Sequence, residues 1–314
     1  MKTFEYLKKL ISHTPLVDIT YKFDGKTKHV YAKCEWYSLT GSIKDKSAYQ
    51  IFYDAYKSGT LKKGDPLVEV SSGNMGISIS ALGNILGNPV TILMPKSMSE
   101  ERKKLIRLYG ATLIETEDFH EAFDLCEKYV LNGYFCTRQF ENISNKNAHA
   151  QITAREILEQ TKDKKFNAFV CGLGTSGTFS GIGSVLKNDR KTKVIAIEPE
   201  NARIITGVPP FGKHKLQGLS DEILPKLFDN AICDEVIQIT DDDAIAMSIK
   251  LCRTLSLGVG ISSGANFLGC VLSGENAVTI FSDDNKKYLS TDLSKDITTE
   301  LVKKIEIIGF DIIK

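Results

Sequence analysis

Lys44 follows a glycine and opens a helical pattern in TGSIKDKSA, which makes it a candidate nucleophilic amine in this 314-residue chain. The pattern begins near Ser42, where the positive end of the helix macrodipole disfavours a cation and desolvation would weaken its hold on a proton. An uncharged amine is what Schiff-base formation with a carbonyl requires. Taken alone, among forty basic residues, Lys44 reads as a solvated helix-start lysine. Three further segments add to it: SSGNMG at 71–76, GLGTSGT at 172–178 and GISSGA at 260–265.

GLGTSGT sets Gly172, Gly174 and Gly177 around Thr175, Ser176 and Thr178, so backbone amides and hydroxyls can close on an anion at a helix start, and a phosphate fits. No Gly-Lys-Ser/Thr follows, which excludes a nucleotide P-loop. The three glycines do satisfy the dinucleotide spacing, and Glu198 in AIEPE stands where a ribose-binding acid would, so a nicotinamide-dependent oxidoreductase stays open. SSGNMG places Ser71, Ser72 and Asn74 beside Gly73 and Gly76 at a second helix start, where donors can hold a carboxylate without a full positive charge. Each segment alone also reads as a plain strand-to-helix turn. Two anion cradles with an amine between them suggest a phosphate-bearing ligand and a carboxylate-bearing substrate.

These segments need rigid supports. Short β-branched runs (HVYAKCE, PLVEVS, PVTILMP, TLIET, FNAFVCG, KVIAIEP, EVIQIT and NAVTIFSD) alternate with stretches of three-to-four-residue apolar spacing. That alternation predicts a parallel sheet with helices on both faces, and open sheets of this kind bind ligands at the carboxyl ends of their strands. After PVTILMP the spacing predicts a helix capped by Ser97 or Ser99, with Glu100 and Glu101 at its positive end, an apolar stripe of Leu105, Ile106 and Leu108, and a stop at Gly110. The last stretch, KDITTELVKKIEIIGFDIIK, reads as a helix followed by a short strand.

The length suits about two domains. Forty Lys and Arg against thirty-nine Asp and Glu show no nucleic-acid or membrane footprint, and no apolar run approaches a membrane helix, so a small-molecule substrate and a cytoplasmic location are expected. Seven cysteines, 34, 126, 136, 171, 233, 252 and 270, occur singly and argue against a disulfide framework or a zinc site. His13, His29, His120, His149 and His214 match no site segment and read as surface or packing residues.

In this order of motifs the chain resembles the cysteine synthase family of pyridoxal 5'-phosphate (PLP) enzymes, fold type II, which includes cystathionine β-synthase and, more distantly, threonine dehydratase. The resemblance runs from HTPLV through KYLST, roughly residues 10–292. It implies an α/β fold of two domains, each a mostly parallel twisted sheet flanked by helices, with PLP in the cleft between them. Residues 1–39 plus 146–314 would form the larger domain holding the cofactor phosphate, and 40–145 the smaller, mobile substrate domain. Lys44 would carry the cofactor as a Schiff base and move the proton at Cα. Asn74 would meet the cofactor's 3'-oxygen, Gly174, Thr175, Ser176, Gly177 and Thr178 its phosphate, and Ser262 its pyridine nitrogen. Ser71, Ser72, Gly73, Met75, Gln139 and Gly218 would surround the substrate. A hydroxyl does not hold the ring nitrogen protonated, and the weaker electron sink favours β-elimination. Ile43 and the hydroxyl-rich GTSGT favour the β-replacing branch over the dehydratases.

Two departures stand out. Met75 replaces the family's usual threonine, removing a hydroxyl from the carboxylate loop while leaving a backbone amide that can still donate. In LQGLSDEILP, Asp221 and Glu222 replace small neutral residues; acids near Cβ would repel hydrosulfide and activate water or attract the ammonium of a second amino acid, although an acidic helix cap is the plainer reading of either. The expected reaction is β-replacement through an α-aminoacrylate intermediate, with L-cysteine losing sulfide and water or a second amino thiol adding to give serine or lanthionine/cystathionine. O-acetylserine sulfhydrylase is the alternative; a non-catalytic partner of serine acetyltransferase is another, against which the intact Lys44 argues. A homodimer without metal, nucleic acid or membrane partners is expected.

Overall fold

The protein is described by a computed structural model covering residues 2–219 and 224–313. Its strands are β1 (Leu16–Phe23), β2 (Lys26–Cys34), β3 (Leu67–Val70), β4 (Val90–Pro95), β5 (Thr112–Thr116), β6 (Phe135–Cys136), β7 (Ala168–Gly172), β8 (Lys193–Pro199), β9 (Glu235–Ile239), β10 (Ala277–Phe281) and β11 (Glu306–Ile313). They form two sheets, one ordered β11-β1-β2-β10-β7-β8-β9 and one ordered β5-β4-β3-β6. Every run expected as a strand carries one. β1, β2 and β11 pair antiparallel at one edge of the larger sheet, and the other pairs in both sheets are parallel. β1 and the two-residue β6 were not anticipated; along β1 Val17, Ile19 and Tyr21 alternate into one core, while Leu16 and Asp18 are buried on its other face.

The helices are α1 (Lys2–Ile11), α2 (Lys44–Ser58), α3 (Asn74–Leu86), α4 (Glu100–Leu108), α5 (Phe119–Leu131), α6 (Ile143–Ala148), α7 (Ala154–Gln160), α8 (Gly177–Arg190), α9 (Asp241–Leu255), α10 (Ile261–Ser273) and α11 (Glu300–Lys303). One core packs α9 and α10 on the larger sheet, and a second packs α7 and α8 against its other face. The smaller sheet is covered by α2 and α3 on one side and α5 on the other, with Phe4, Leu7 and Ile11 of α1 joining the first of these cores. Strands covered on both faces explain why VTILMP, AFVCG and VIAIEP read as continuous apolar runs.

α4 departs from its expected amphipathicity. Ser99 is its N-cap but its hydroxyl donates instead to the carbonyl of Lys287 at 2.9 Å, and Leu108 is 81% exposed. Arg102 and Lys103 are buried in its place, because polar partners from other segments receive their charged ends. Among the described residues no helix is long and apolar enough to cross a membrane, and no cluster of side chains is suited to a metal ion.

Candidate active site

Lys44 is the first residue of α2, its amide 3.3 Å from the Ser42 hydroxyl. Its neighbours are drawn into the core on either side. The Asp45 carboxylate accepts from the Thr40 amide at 2.7 Å, the Thr40 hydroxyl at 2.5 Å and Ser78 at 2.7 Å, while Lys46 Nζ lies 2.8 Å from Glu35 and 3.1 Å from Glu156. These buried contacts fix the helix start, and Lys44, half-buried, lines the cleft. His149 is fully buried behind it, with Nε2 2.9 Å from Ser47 and 3.3 Å from Thr178. Burial, and then the charges of Lys44 and Lys46, hold its pKa well below the usual imidazole range, so it stays neutral.

The turn at 172–178 follows β7 and opens α8. Ser176 sits at φ 65°, a left-handed conformation uncommon for a residue with a Cβ, which turns the chain into the helix. Gly174 and Gly177 are required for space, since a Cβ at Gly174 would come 2.5 Å from the Gly218 carbonyl oxygen and one at Gly177 would come 2.2 Å from Asn145 Oδ1. Asn145 donates to Thr175 Oγ1 at 2.9 Å, and Gly172 N donates to Asn266 Oδ1 at 2.8 Å. Gly174, Thr175, Ser176 and Thr178 line the cleft, and Gly177 is the first residue of α8 beneath them.

The turn at 71–76 follows β3 and opens α3. Ser71 Oγ accepts from the amides of Gly73 at 3.1 Å and Gly76 at 2.8 Å, and Gln139 Nε2 donates to the Val70 carbonyl at 3.0 Å. Asn74 begins α3 and donates through Nδ2 to Asp283 Oδ2 at 2.7 Å, an oxygen that also accepts from Tyr288 OH at 2.7 Å. Asn74 Oδ1 is buried without a partner. Ser71, Ser72, Asn74, Met75, Gln139, Gly218 and Ser262 all line the same cleft as Lys44 and the 172–178 turn. Gly73 supports it from beneath at φ 154°, and the Met75 side chain also belongs to the core of the smaller sheet. Met75 therefore brings a thioether where a hydroxyl was expected to help hold a carboxylate.

These groups fit pyridoxal phosphate. A helix N-terminus with hydroxyl-bearing turn residues suits its phosphate, a lysine suits its aldehyde, and a buried amide oxygen and the Ser262 hydroxyl remain for its ring substituents. Asp221 and Glu222 lie outside the described residues, and the flanking Gly218 and Leu219 line the cleft. The ribose-binding reading of Glu198 does not hold, because its buried carboxylate accepts from Ile205 N at 2.9 Å, Thr206 N at 3.2 Å and Thr206 Oγ1 at 2.8 Å. Sequence reasoning passed over Arg102, Gln217 and Tyr288, which also line the cleft, and Asp283 and Asn145 behind it. No motif marks them, since each reaches a partner far along the chain, from the 30 positions between Arg102 and Ser72 to the 209 between Asp283 and Asn74.

Residues 7–283 match the family model described as pyridoxal-phosphate dependent enzyme. Cysteine synthase B of Campylobacter jejuni is 38% identical over 304 residues, which is 93% of this chain and 99% of that protein. O-ureido-L-serine synthase of Streptomyces lavendulae is 33% identical over 93% of each chain. The solved structure of a hydrogen sulfide-producing enzyme from Fusobacterium nucleatum superposes with a TM-score of 0.95 at 38% identity, covering 100% of this chain and 99% of that one. With PLP as its cofactor, the chain belongs to the pyridoxal-phosphate dependent enzymes, in the fold type II branch of cysteine synthase and cystathionine β-synthase, and is a β-replacing enzyme of sulfur amino acid metabolism.

Proposed function

We propose that the enzyme takes L-cysteine as its first substrate, releases hydrogen sulfide and adds water or a second amino thiol at Cβ. The observation that carries this reading is the single cleft in which Lys44, the two anion-binding turns and Ser262 meet, with a hydrogen sulfide-producing enzyme as a full-length structural relative. When bound, PLP supplies the electron sink that makes the Cα proton acidic and the Cβ substituent a leaving group. Lys44 Nζ takes that proton and returns it. Thr175, Ser176 and Thr178 hold the cofactor phosphate with the amides at the start of α8, Asn74 faces the ring oxygen, and Ser262 faces the ring nitrogen. The Ser262 hydroxyl would not hold a proton on that nitrogen, and the weaker electron sink would favour loss of the Cβ substituent. Ser71, Ser72, Gly73, Met75 and Gln139 orient the amino acid, with Gly218 closing the cleft from the other side. Asp221 and Glu222 act on the incoming nucleophile, and residues 40–145 close over the cleft as the smaller domain of a homodimer.

Purified holoenzyme given L-cysteine alone should release sulfide and form serine or lanthionine, detected by mass. Turnover only with O-acetylserine plus sulfide would assign cysteine synthesis instead, the reading that relatives such as the C. jejuni enzyme favour.

A further inference from the structure

Glu69 is a buried carboxyl that the cleft chemistry does not use. It lies in β3, 2% exposed, its Oε1 accepting from the Val70 amide at 3.1 Å and its Oε2 from the Thr137 hydroxyl. Burial raises this carboxyl to about 7, against the lowering by those two donors and by the Arg138 amide and guanidinium, so near neutrality it can take up a proton and give it back. Beside it stand two of the seven free cysteines. Cys126 of α5 and Cys136 of β6 bring their sulfurs to 3.6 Å, and Cys136 Sγ is 3.9 Å from Glu69 Oε2.

Cysteines that serve only as small apolar fillers need neither a base nor a path to solvent. These have both. A cavity of about 230 Å³ is lined by Cys126, Cys136 and Glu69, and its rim carries the exposed Glu127, Leu224 and Lys226, so a molecule of a few atoms can reach the sulfurs. Both cysteines pack on β3, Cys136 paired with Val68 and Cys126 in the same core as Val68, and a bond between them asks the sulfurs to approach by roughly 1.5 Å. The Cys136 thiol is held well above the ordinary thiol range, by its contact with Cys126 first and by burial second, so it reacts only where a neighbour takes its proton.

We propose that Cys126 and Cys136 form a redox-active dithiol site with Glu69 as its proton acceptor, oxidised to a disulfide by hydrogen peroxide entering the cavity. Cys136 passes its proton to Glu69 and its sulfur attacks one peroxide oxygen. The O–O bond breaks, leaving a sulfenic acid on Cys136 and a hydroxide that recovers the Glu69 proton to become water. The Cys126 sulfur then displaces the sulfenic oxygen, which departs with the Cys126 proton as a second water. The two sulfurs give up two electrons and the peroxide is reduced. The site lies next to the segment that carries Gln139 into the cleft, where Gln139 holds the Val70 carbonyl.

The test uses reduced holoenzyme freed of thiols and treated with hydrogen peroxide, then denatured, alkylated and mapped by peptide mass. A peptide pair joined through Cys126 and Cys136, two hydrogens lighter and separated again by dithiothreitol, is expected, with Cys233 and Cys252, the other half-buried cysteines, recovered alkylated. In Cys126→Ser, Cys136 should stop at the sulfenic acid and be trapped by dimedone. In Glu69→Gln the link should form at least about 10-fold more slowly. Wild-type protein in which both cysteines are recovered alkylated, or joined to other cysteines instead, would overturn the dithiol site without recourse to any variant, and an unchanged rate in Glu69→Gln would overturn the part given to Glu69. The readout is the state of the protein's own sulfurs, so it does not depend on which amino acid the enzyme consumes.

Discussion

The turn after β7 and the turn after β3 both carry a strand into a helix start, but neutral groups tie down the first and charged groups the second. At 172–178 the supports are the Asn145 and Asn266 amides and the Gly218 backbone, and Gly174 and Gly177 leave room for Gly218 and Asn145. At 71–76 the supports are Arg102 beneath Ser72 and Gly73, and Asp283 on Asn74. A phosphate brings its own double charge to a helix N-terminus and needs only dipoles to hold it, while at the second turn the buried pair of Arg102 and Asp283 fixes the loop itself. The strands differ in the same way: β7 carries no ionisable carboxyl, while β3 carries Glu69, buried behind the turn.

The largest effect expected is at the residue serving both turns. Lys44→Ala should lower turnover on the order of 10²–10⁴-fold and remove the borohydride-fixable cofactor, measured by sulfide release and peptide mass. The two turns separate at their glycines. Gly177→Ala, driving a Cβ into Asn145, should weaken cofactor retention and cost about 1–3 kcal/mol of stability, while Gly73→Ala, driving a Cβ into Arg102, should leave cofactor bound and raise KM for the amino acid. Cofactor content and KM measured on both variants would break the comparison if the two behaved alike.

The last contrast is a pH dependence of stability, away from the cleft chemistry. Burial raises the Glu69 carboxyl to about 7, against lowering by the Thr137 hydroxyl and the Val70 amide that donate to it. The folded protein therefore holds this proton more tightly than the unfolded chain. The associated stability is complete below the ordinary carboxylate pKa, declines as pH rises towards 7, and is lost above it, a change of roughly 3 kcal/mol. Glu69→Gln should flatten that part of the denaturation profile between about pH 4.5 and pH 7, and an unchanged slope would show that Glu69 does not titrate in this range.

Much of this arrangement is written locally. The strand runs, the glycine turns following β3 and β7, and Lys44 at a helix start are signals a few residues long, and the placement of Lys44, Asn74, Thr175 and Ser262 around one cleft agrees with them. α4 shows the limit. Its periodicity put Leu108 in the core and gave Arg102 no role, yet Leu108 is exposed and Arg102 is buried. Helical spacing ranks residues by hydropathy and contains nothing about a carbonyl 30 positions back or an amide 115 positions ahead that can take a guanidinium's protons. The histidines keep to the surface-or-packing reading, His120 exposed and His149 enclosed between α2 and the 172–178 turn, but the spacing did not say which is which.

By itself the sequence determined most of the strands, though not β1 or β6, where the chain turns tightly enough to meet an anion, and which amine could react, because each depends on interactions within one turn or strand. Only the tertiary structure decided that Asp283 engages Asn74, that Ser71 spends its hydroxyl oxygen on its own turn, and that Arg102 reaches the cleft with its guanidinium 4.0 Å from the Asp283 carboxylate. Those outcomes depend on which distant polar groups remain to be satisfied once two sheets have packed, and buried charge and hydrogen bonding are accounted for in space rather than along the chain.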